Sequence, residues 1–124
     1  MGISVLFVDD DHSLLEGIGR MIKLERRDII FSLAFTGEEA LKLLEEKHFD
    51  VVVSDHLMQG MTGLTLLTVI RTKYPDTKRV MLSAQIQDDI YNEAEKFADL
   101  YISKPCDTMT VIAKIEKLLN DEVN

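Results

Sequence analysis

The chain has 124 residues, of which 46% are hydrophobic and 29% charged, and its formal net charge is −8. That length predicts one domain with a real core, needing neither disulfides nor a structural metal to fold. The acidic balance argues against a phosphate-backbone binder, which needs clustered Lys and Arg, and no apolar run approaches the ~18 residues of a membrane span.

The start, Met1-Gly2-Ile3-Ser4-Val5, lacks the charged region and cleavage site of a signal peptide. The first branched apolar run, Val5–Val8, reads as a strand and runs straight into Asp9-Asp10-Asp11. Leu14, Leu15, Ile18, Met21 and Ile22 then recur at helical spacing, and Ser13-Leu14-Leu15-Glu16 reads as a capping box for that helix, with Asp11 as the other candidate cap. A second strand is expected at Ile29–Ala34, followed by a capping box at Thr36-Gly37-Glu38-Glu39 and a helix through Ala40, Leu41, Leu43 and Leu44. Val51–Val53 is an unbroken apolar run, as in a strand buried on both faces, and Ser54-Asp55 follows it. The third helix carries Leu64, Leu67 and Ile70, with a stop at Pro75. A fourth strand at Arg79–Leu82 ends in Ser83-Ala84, and a fourth apolar stretch carries Ile90, Ala94, Phe97 and Ala98. The fifth strand, Tyr101–Ile102, leads into Ser103-Lys104-Pro105. Asp107 is placed to cap the last helix, with Val111, Ile112, Ile115, Leu118 and Leu119 on its apolar face. The single cysteine, Cys106, cannot form an internal disulfide and reads as a small structural residue in a reduced, cytosolic protein.

Five strands alternating with five helices give a parallel sheet covered on both faces. With right-handed crossovers the fold is α/β, a doubly wound five-stranded sheet in the order 2-1-3-4-5, with its crevice beyond the carboxyl ends of strands 1 and 3. The residues just past those ends are Asp9, Asp10, Asp55, Ser83 and Lys104. Clustered carboxylates need a proton or a cation to neutralise them. Oxygen-only ligands select a hard cation, and Mg²⁺ suits one or two carboxylates, waters and a phosphate. A carboxylate there can attack phosphorus, while the metal, lysine and hydroxyl hold the transferring oxygens.

Four separated signals, Val8-Asp9-Asp10, Ser54-Asp55, Leu82-Ser83-Ala84 and Lys104-Pro105, appear in the order seen in response-regulator receiver domains. The whole chain, residues 1–124, resembles a receiver of the chemotaxis-regulator type in two-component signalling, either stand-alone or cut from a longer response regulator. The resemblance implies a flavodoxin-like (βα)5 fold. It implies that Asp55 accepts a phosphoryl group from a sensor histidine kinase or a phosphotransfer protein. Asp10, Asp55 and the Leu57 backbone carbonyl would bind Mg²⁺ (or Mn²⁺), and Asp9 would act through a bound water. Lys104 would contact the phosphoryl oxygens, Ser83 would bond to one of them after phosphorylation, and Tyr101 would be the switch aromatic. The Lys104-Pro105 bond would be cis. Output would pass to a partner protein, an attached output domain or a phosphorylation-dependent homodimer, through the surface of the fourth helix, fifth strand and fifth helix. No turnover of a free substrate, no direct nucleic-acid contact and no membrane contact are implied.

The loop after the acceptor departs from the family pattern: Gln59 stands for the usual proline and Thr62 for the usual aspartate before Gly63. Both changes spare the ligands, and the loss of proline suggests a looser loop. Cys106 stands where the family often has an aromatic. The resemblance also implies that Leu57, two after the acceptor, and Gln85, two after Ser83, would tune phosphoryl lifetime. Leu57 cannot orient a water and Gln85 can, so a fairly long-lived phosphorylated state is expected.

Each residue also has a plainer reading. Asp9 and Asp10 could only cap the first helix, Ser83 could be a turn residue, Lys104 a solvated cation and Tyr101 simple packing. His12, His48 and His56 lack metal-ligand spacing. His12 and His56 lie near the acidic rim and could tune it, but the bland reading is exposed or capping histidines. Three rival functions remain beside the receiver. The alternative reading is a non-phosphorylated pseudo-receiver, an interaction module that keeps only the fold. An aspartate-nucleophile phosphatase would need an acid at position 57, where Leu stands. A flavin-binding protein of this topology would need a Gly/Ser/Thr-rich phosphate loop where the three aspartates stand.

Overall fold

The computed structural model describes residues 2–84 and 96–121. Its strands are β1 (Ser4–Val8), β2 (Ile30–Ala34), β3 (Val51–Ser54), β4 (Lys78–Ser83) and β5 (Leu100–Ser103). Its helices among the described residues are α1 (His12–Glu25), α2 (Gly37–Glu46), α3 (Gly63–Lys73) and α4 (Thr108–Asp121). All neighbouring strands are parallel and their order is β2-β1-β3-β4-β5, the doubly wound α/β arrangement expected from the alternation. Ile90 and Ala94 of the fourth apolar stretch, and Gln85, lie outside the described residues. Among the described residues, no helix is long and apolar enough to cross a membrane.

The core is in two layers, as a sheet covered on both faces requires. Val5, Phe7, Val51 and Val53 point to one layer, with Leu15, Ile18 and Ile22 of α1 and Val111, Ile112 and Ile115 of α4. Leu6, Val8 and Val52 point to the other, with Ala40 and Leu44 of α2 and Leu66, Leu67 and Ile70 of α3. The alternation follows the two-residue period of a strand, and every residue of β3 is buried.

Strand edges differ slightly from the sequence reading. β2 starts at Ile30 because the Ile29 N–H still donates to the Arg26 carbonyl in the preceding turn. β4 begins at Lys78, whose N–H joins the Asp50 carbonyl of the neighbouring strand end. The cap of α1 is a correction. Asp11 is the N-cap, its carboxylate accepting from the Leu14 N–H at 3.1 Å, and Ser13 already lies inside the helix. Asp11 reaches an orphan amide three residues on, which leaves the Ser13 box nothing to cap. The Thr36 cap is present, accepting from the Glu39 N–H at 3.0 Å. Asp107 likewise accepts from the Thr110 N–H at 2.9 Å at the start of α4.

The register brings the strand ends level. Val8 pairs with Ser54 and Ala34, Ser54 with Met81, and Ser83 with Ser103. The ladder continues one bond further: Asp9 N–H donates to the Ala34 carbonyl, Asp55 N–H to Val8, and Lys104 N–H to Ser83. Backbone pairing therefore sets these three residues on a single rim.

Candidate phosphoacceptor and metal site

A carboxylate oxygen from each of Asp9, Asp10 and Asp55 lies within 4.8 Å of the others. Asp9 is buried, Asp55 half-buried and Asp10 exposed. Lys104 reaches in from the end of β5, its Nζ 2.9 Å from Asp9 Oδ2 and 3.5 Å from Asp55 Oδ2. Asp9 Oδ1 also accepts from the Asp11 N–H at 2.9 Å, and Asp55 Oδ1 from the His56 N–H at 2.8 Å. Burial raises the Asp9 carboxyl above its ordinary range, although the Lys104 ammonium and the Asp11 amide pull the other way. Burial acts to lower the Lys104 ammonium, but the carboxylates of Asp9 and Asp55 outweigh it and hold the pKa above its usual value.

This donor set fits a divalent cation. Three carboxylates and one ammonium fall two charges short of neutrality, and every ligand atom is a hard oxygen. The Leu57 side chain is exposed in the adjoining loop. Among the described residues this is the group of acids, histidines and cysteines with metal-site geometry.

The two residues expected to form a switch lie on the neighbouring strands β4 and β5. Ser83 is buried at its end. Tyr101, half-buried on the edge strand β5, donates its hydroxyl to the Ser83 carbonyl at 3.2 Å. The Lys104-Pro105 bond is cis. Cys106 is half-buried and packs against the first core layer, as a small structural residue would. It shares with Leu14, Met21 and Lys104 a groove of about 570 Å³ between α1 and α4, beside the acid cluster.

Sequence reasoning missed the hydrogen bonds made by the loop after Asp55. Thr62, in place of the family's aspartate, caps α3 and accepts from the Thr65 N–H at 3.2 Å. Gln59 contributes an N–H that a proline would lack, and it donates to Asp10 Oδ2 at 3.2 Å. Both substituted positions thus make a hydrogen bond of their own. Gly60 takes a positive φ of 78° at the turn, a conformation that favours glycine. The histidines separate. His12 stacks on Phe35 with ring centroids 3.9 Å apart. His48 Nε2 is an exposed 3.5 Å neighbour of Asp50. His56, read as exposed or capping, is buried and does cap: its Nδ1 accepts from the Leu64 N–H at 3.3 Å. That bond spans eight residues, so no local motif announces it.

Known proteins give a consistent likeness. A family model described as the response regulator receiver domain matches residues 5–116. Heme response regulator HssR of Staphylococcus aureus is 33% identical over 123 residues, covering 94% of this chain and 51% of that protein. Response regulator protein VraR of Staphylococcus saprophyticus is 28% identical, covering 98% of this chain and 59% of that protein. The chain thus spans little more than half the length of these curated relatives. Among solved structures, response regulator TrrA of Thermotoga maritima, crystallised in complex with Mg²⁺ and BeF, is 29% identical with a TM-score of 0.82 over 94% of this chain and 98% of that one. A CheY-like receiver domain protein of Methanospirillum hungatei shares the fold, with a TM-score of 0.90 over 98% of this chain and 96% of that one at 24% identity.

Proposed function

The chain belongs to the response-regulator receiver family, and from that premise we propose that it takes a phosphoryl group on Asp55 from a phosphohistidine of a sensor kinase or phosphotransfer protein. The observation that carries this reading is the cluster itself: three carboxylates within 4.8 Å, with the Lys104 ammonium in contact with two of them. An Asp55 carboxylate oxygen forms the new bond to phosphorus. The bond from phosphorus to the donor imidazole nitrogen breaks, and that nitrogen keeps the electron pair. Asp10, Asp55 and the Leu57 carbonyl would hold Mg²⁺ (or Mn²⁺), and Asp9 would hold one of its waters. The bound ion supplies charge neutralisation for the phosphoryl oxygens. Lys104 stands ready to contact one of those oxygens and to compensate the charge that Asp55 gains.

The phosphoryl group adds charge at the end of β3, and Ser83 and Lys104 are drawn toward it. Tyr101 follows, because its hydroxyl rests on the carbonyl of Ser83. A pre-existing equilibrium shifts, and the surface over β5 and α4 changes. That surface engages an output partner, an attached domain or a second copy, in the cytoplasm. Leu57 and Gln85 set the phosphoryl lifetime. The domain catalyses its own phosphotransfer and turns over no free substrate.

Amide NMR with Mg²⁺ and beryllofluoride tests this on the wild type and on Asp55→Asn. Shifts at Ser83, Tyr101 and Lys104 in the wild type alone are the expected result. No Mg²⁺-dependent shift in either protein would leave a pseudo-receiver that keeps the fold without the chemistry.

A further inference from the structure

The imidazole of His56 has no part in the phosphotransfer above, yet it is 6% exposed and follows the acceptor directly. A buried imidazole is retained at a cost unless its nitrogens are used. Accounting for the amides at the start of α3 shows what this one does. The first four N–H groups of a helix, counted from the N-cap, have no partner within it. In α3 the three that follow the Thr62 cap belong to Gly63, Leu64 and Thr65. Thr65 N–H goes to Thr62 Oγ1. The other two both go to His56: Gly63 N–H donates to its carbonyl at 2.9 Å, and Leu64 N–H to its Nδ1 at 3.3 Å. One residue beside the acceptor therefore closes the base of the loop 57–62 and docks the helix on the strand end.

The far side of that loop meets the acid cluster. There the Gln59 N–H donates to Asp10 Oδ2, and the same loop carries Leu57, whose carbonyl the proposed function assigns to the cation. We infer that His56 is a positioning residue, whose imidazole fixes the loop that presents Leu57 and Gln59 to the cation site. The inference deepens the proposed function and rests on it for the identity of the site, but the tie itself can be read without any phosphotransfer.

A scalar coupling across the N–H···N bond, between the Leu64 amide nitrogen and His56 Nδ1, is expected in the uniformly ¹⁵N-labelled wild-type chain. Its absence from a folded protein overturns the inference. Two variants then separate positioning from packing. His56→Leu keeps apolar bulk and removes the acceptor. His56→Asn restores an acceptor near the place of Nδ1. Mg²⁺ affinity from amide titration should fall about tenfold in the first, in line with the loss of outer-shell support, and recover in the second even if both are equally destabilised in urea. Wild-type affinity in His56→Leu, or equal losses in both, would reduce His56 to packing. If neither variant folds, the wild-type coupling decides. If acetyl phosphate fails to label wild-type Asp55, the functional reading falls, while coupling and Mg²⁺ affinity still judge His56.

Discussion

Replacing Gly63 with alanine probes how closely α3 is set on the phosphoacceptor strand. A Cβ there would sit 2.1 Å from the Asp55 carbonyl oxygen and 2.8 Å from His56 Cα. These are backbone atoms at the end of a strand buried along its length, so nothing can swing aside. The strand end and the helix must part by roughly an ångström before the contact becomes tolerable in a close-packed interior. Alanine gains about 0.5–1 kcal/mol in helix propensity, and overpacking costs about 1–3 kcal/mol. The overlap wins, and Gly63→Ala should lose about 1–2 kcal/mol in urea unfolding followed by circular dichroism. An ångström at a reacting group costs on the order of 100-fold in rate, so labelling of Asp55 by acetyl phosphate with Mg²⁺, read by intact mass, should slow by about that much. Gly17→Ala is the control. Its Cβ would meet only the end of the Arg20 side chain at 3.8 Å, so it should gain about 0.5–1 kcal/mol and label at the wild-type rate. Wild-type stability and rate in Gly63→Ala would refute the close docking.

Lys104→Met leaves the buried Asp9 carboxylate without its ammonium, and should destabilise the metal-free protein by about 1–3 kcal/mol at neutral pH; urea melts in EDTA measure it. Leu66→Ala removes a fully buried side chain from the layer beneath α3 and should cost about 2–5 kcal/mol in the same assay. The Thr110 N–H holds the Asp107 carboxyl below the usual aspartate range. A lowered folded-state pKa gives stability that is complete above the unfolded value of about 3.9 and is lost as pH falls through the lowered one. Asp107→Asn should therefore flatten the acid limb of the stability curve in that window, and an unchanged limb would remove Asp107 as the cap.

Much of this was legible because its causes are local. Val51-Val52-Val53 is buried on both faces because helices cover both faces of the sheet at its central strand, and the apolar run says so. Asp9, Asp55 and Lys104 meet because each follows directly on a strand of one parallel sheet, and the register does the rest. What could not be read depends on contacts between distant segments. The bond from Gln59 to Asp10 joins residues 49 apart and uses a backbone amide that any residue but proline provides. Gly63 carries no local signal of its role, which is close approach to the Asp55 carbonyl. Ser13 and Asp11 were both plausible caps, and only the first turn of α1 decides between them.

The charge of the acid cluster leads to a last prediction. Two carboxylates no more than 4.8 Å apart repel by at least about 3 kcal/mol at an effective dielectric constant of 20. Asp55 faces two such neighbours, and one ammonium at 3.5 Å attracts it with about 4–5 kcal/mol on the same scale. Repulsion exceeds attraction by about 2 kcal/mol, and the exposure of Asp10 screens part of that. The upward displacement of Asp9 comes first from burial, and Asp55 adds to it in the same direction. Asp55→Asn should therefore stabilise the metal-free protein by about 1 kcal/mol, with the gain shrinking as salt is added. Mg²⁺ should reverse the order, because it binds the folded wild type more tightly than the variant and stabilises in proportion to that affinity. Urea melts in EDTA and in Mg²⁺ separate the two effects. A variant less stable than wild type in EDTA would mean that Lys104 alone already balances the cluster, and the electrostatic case for a divalent ion would fail.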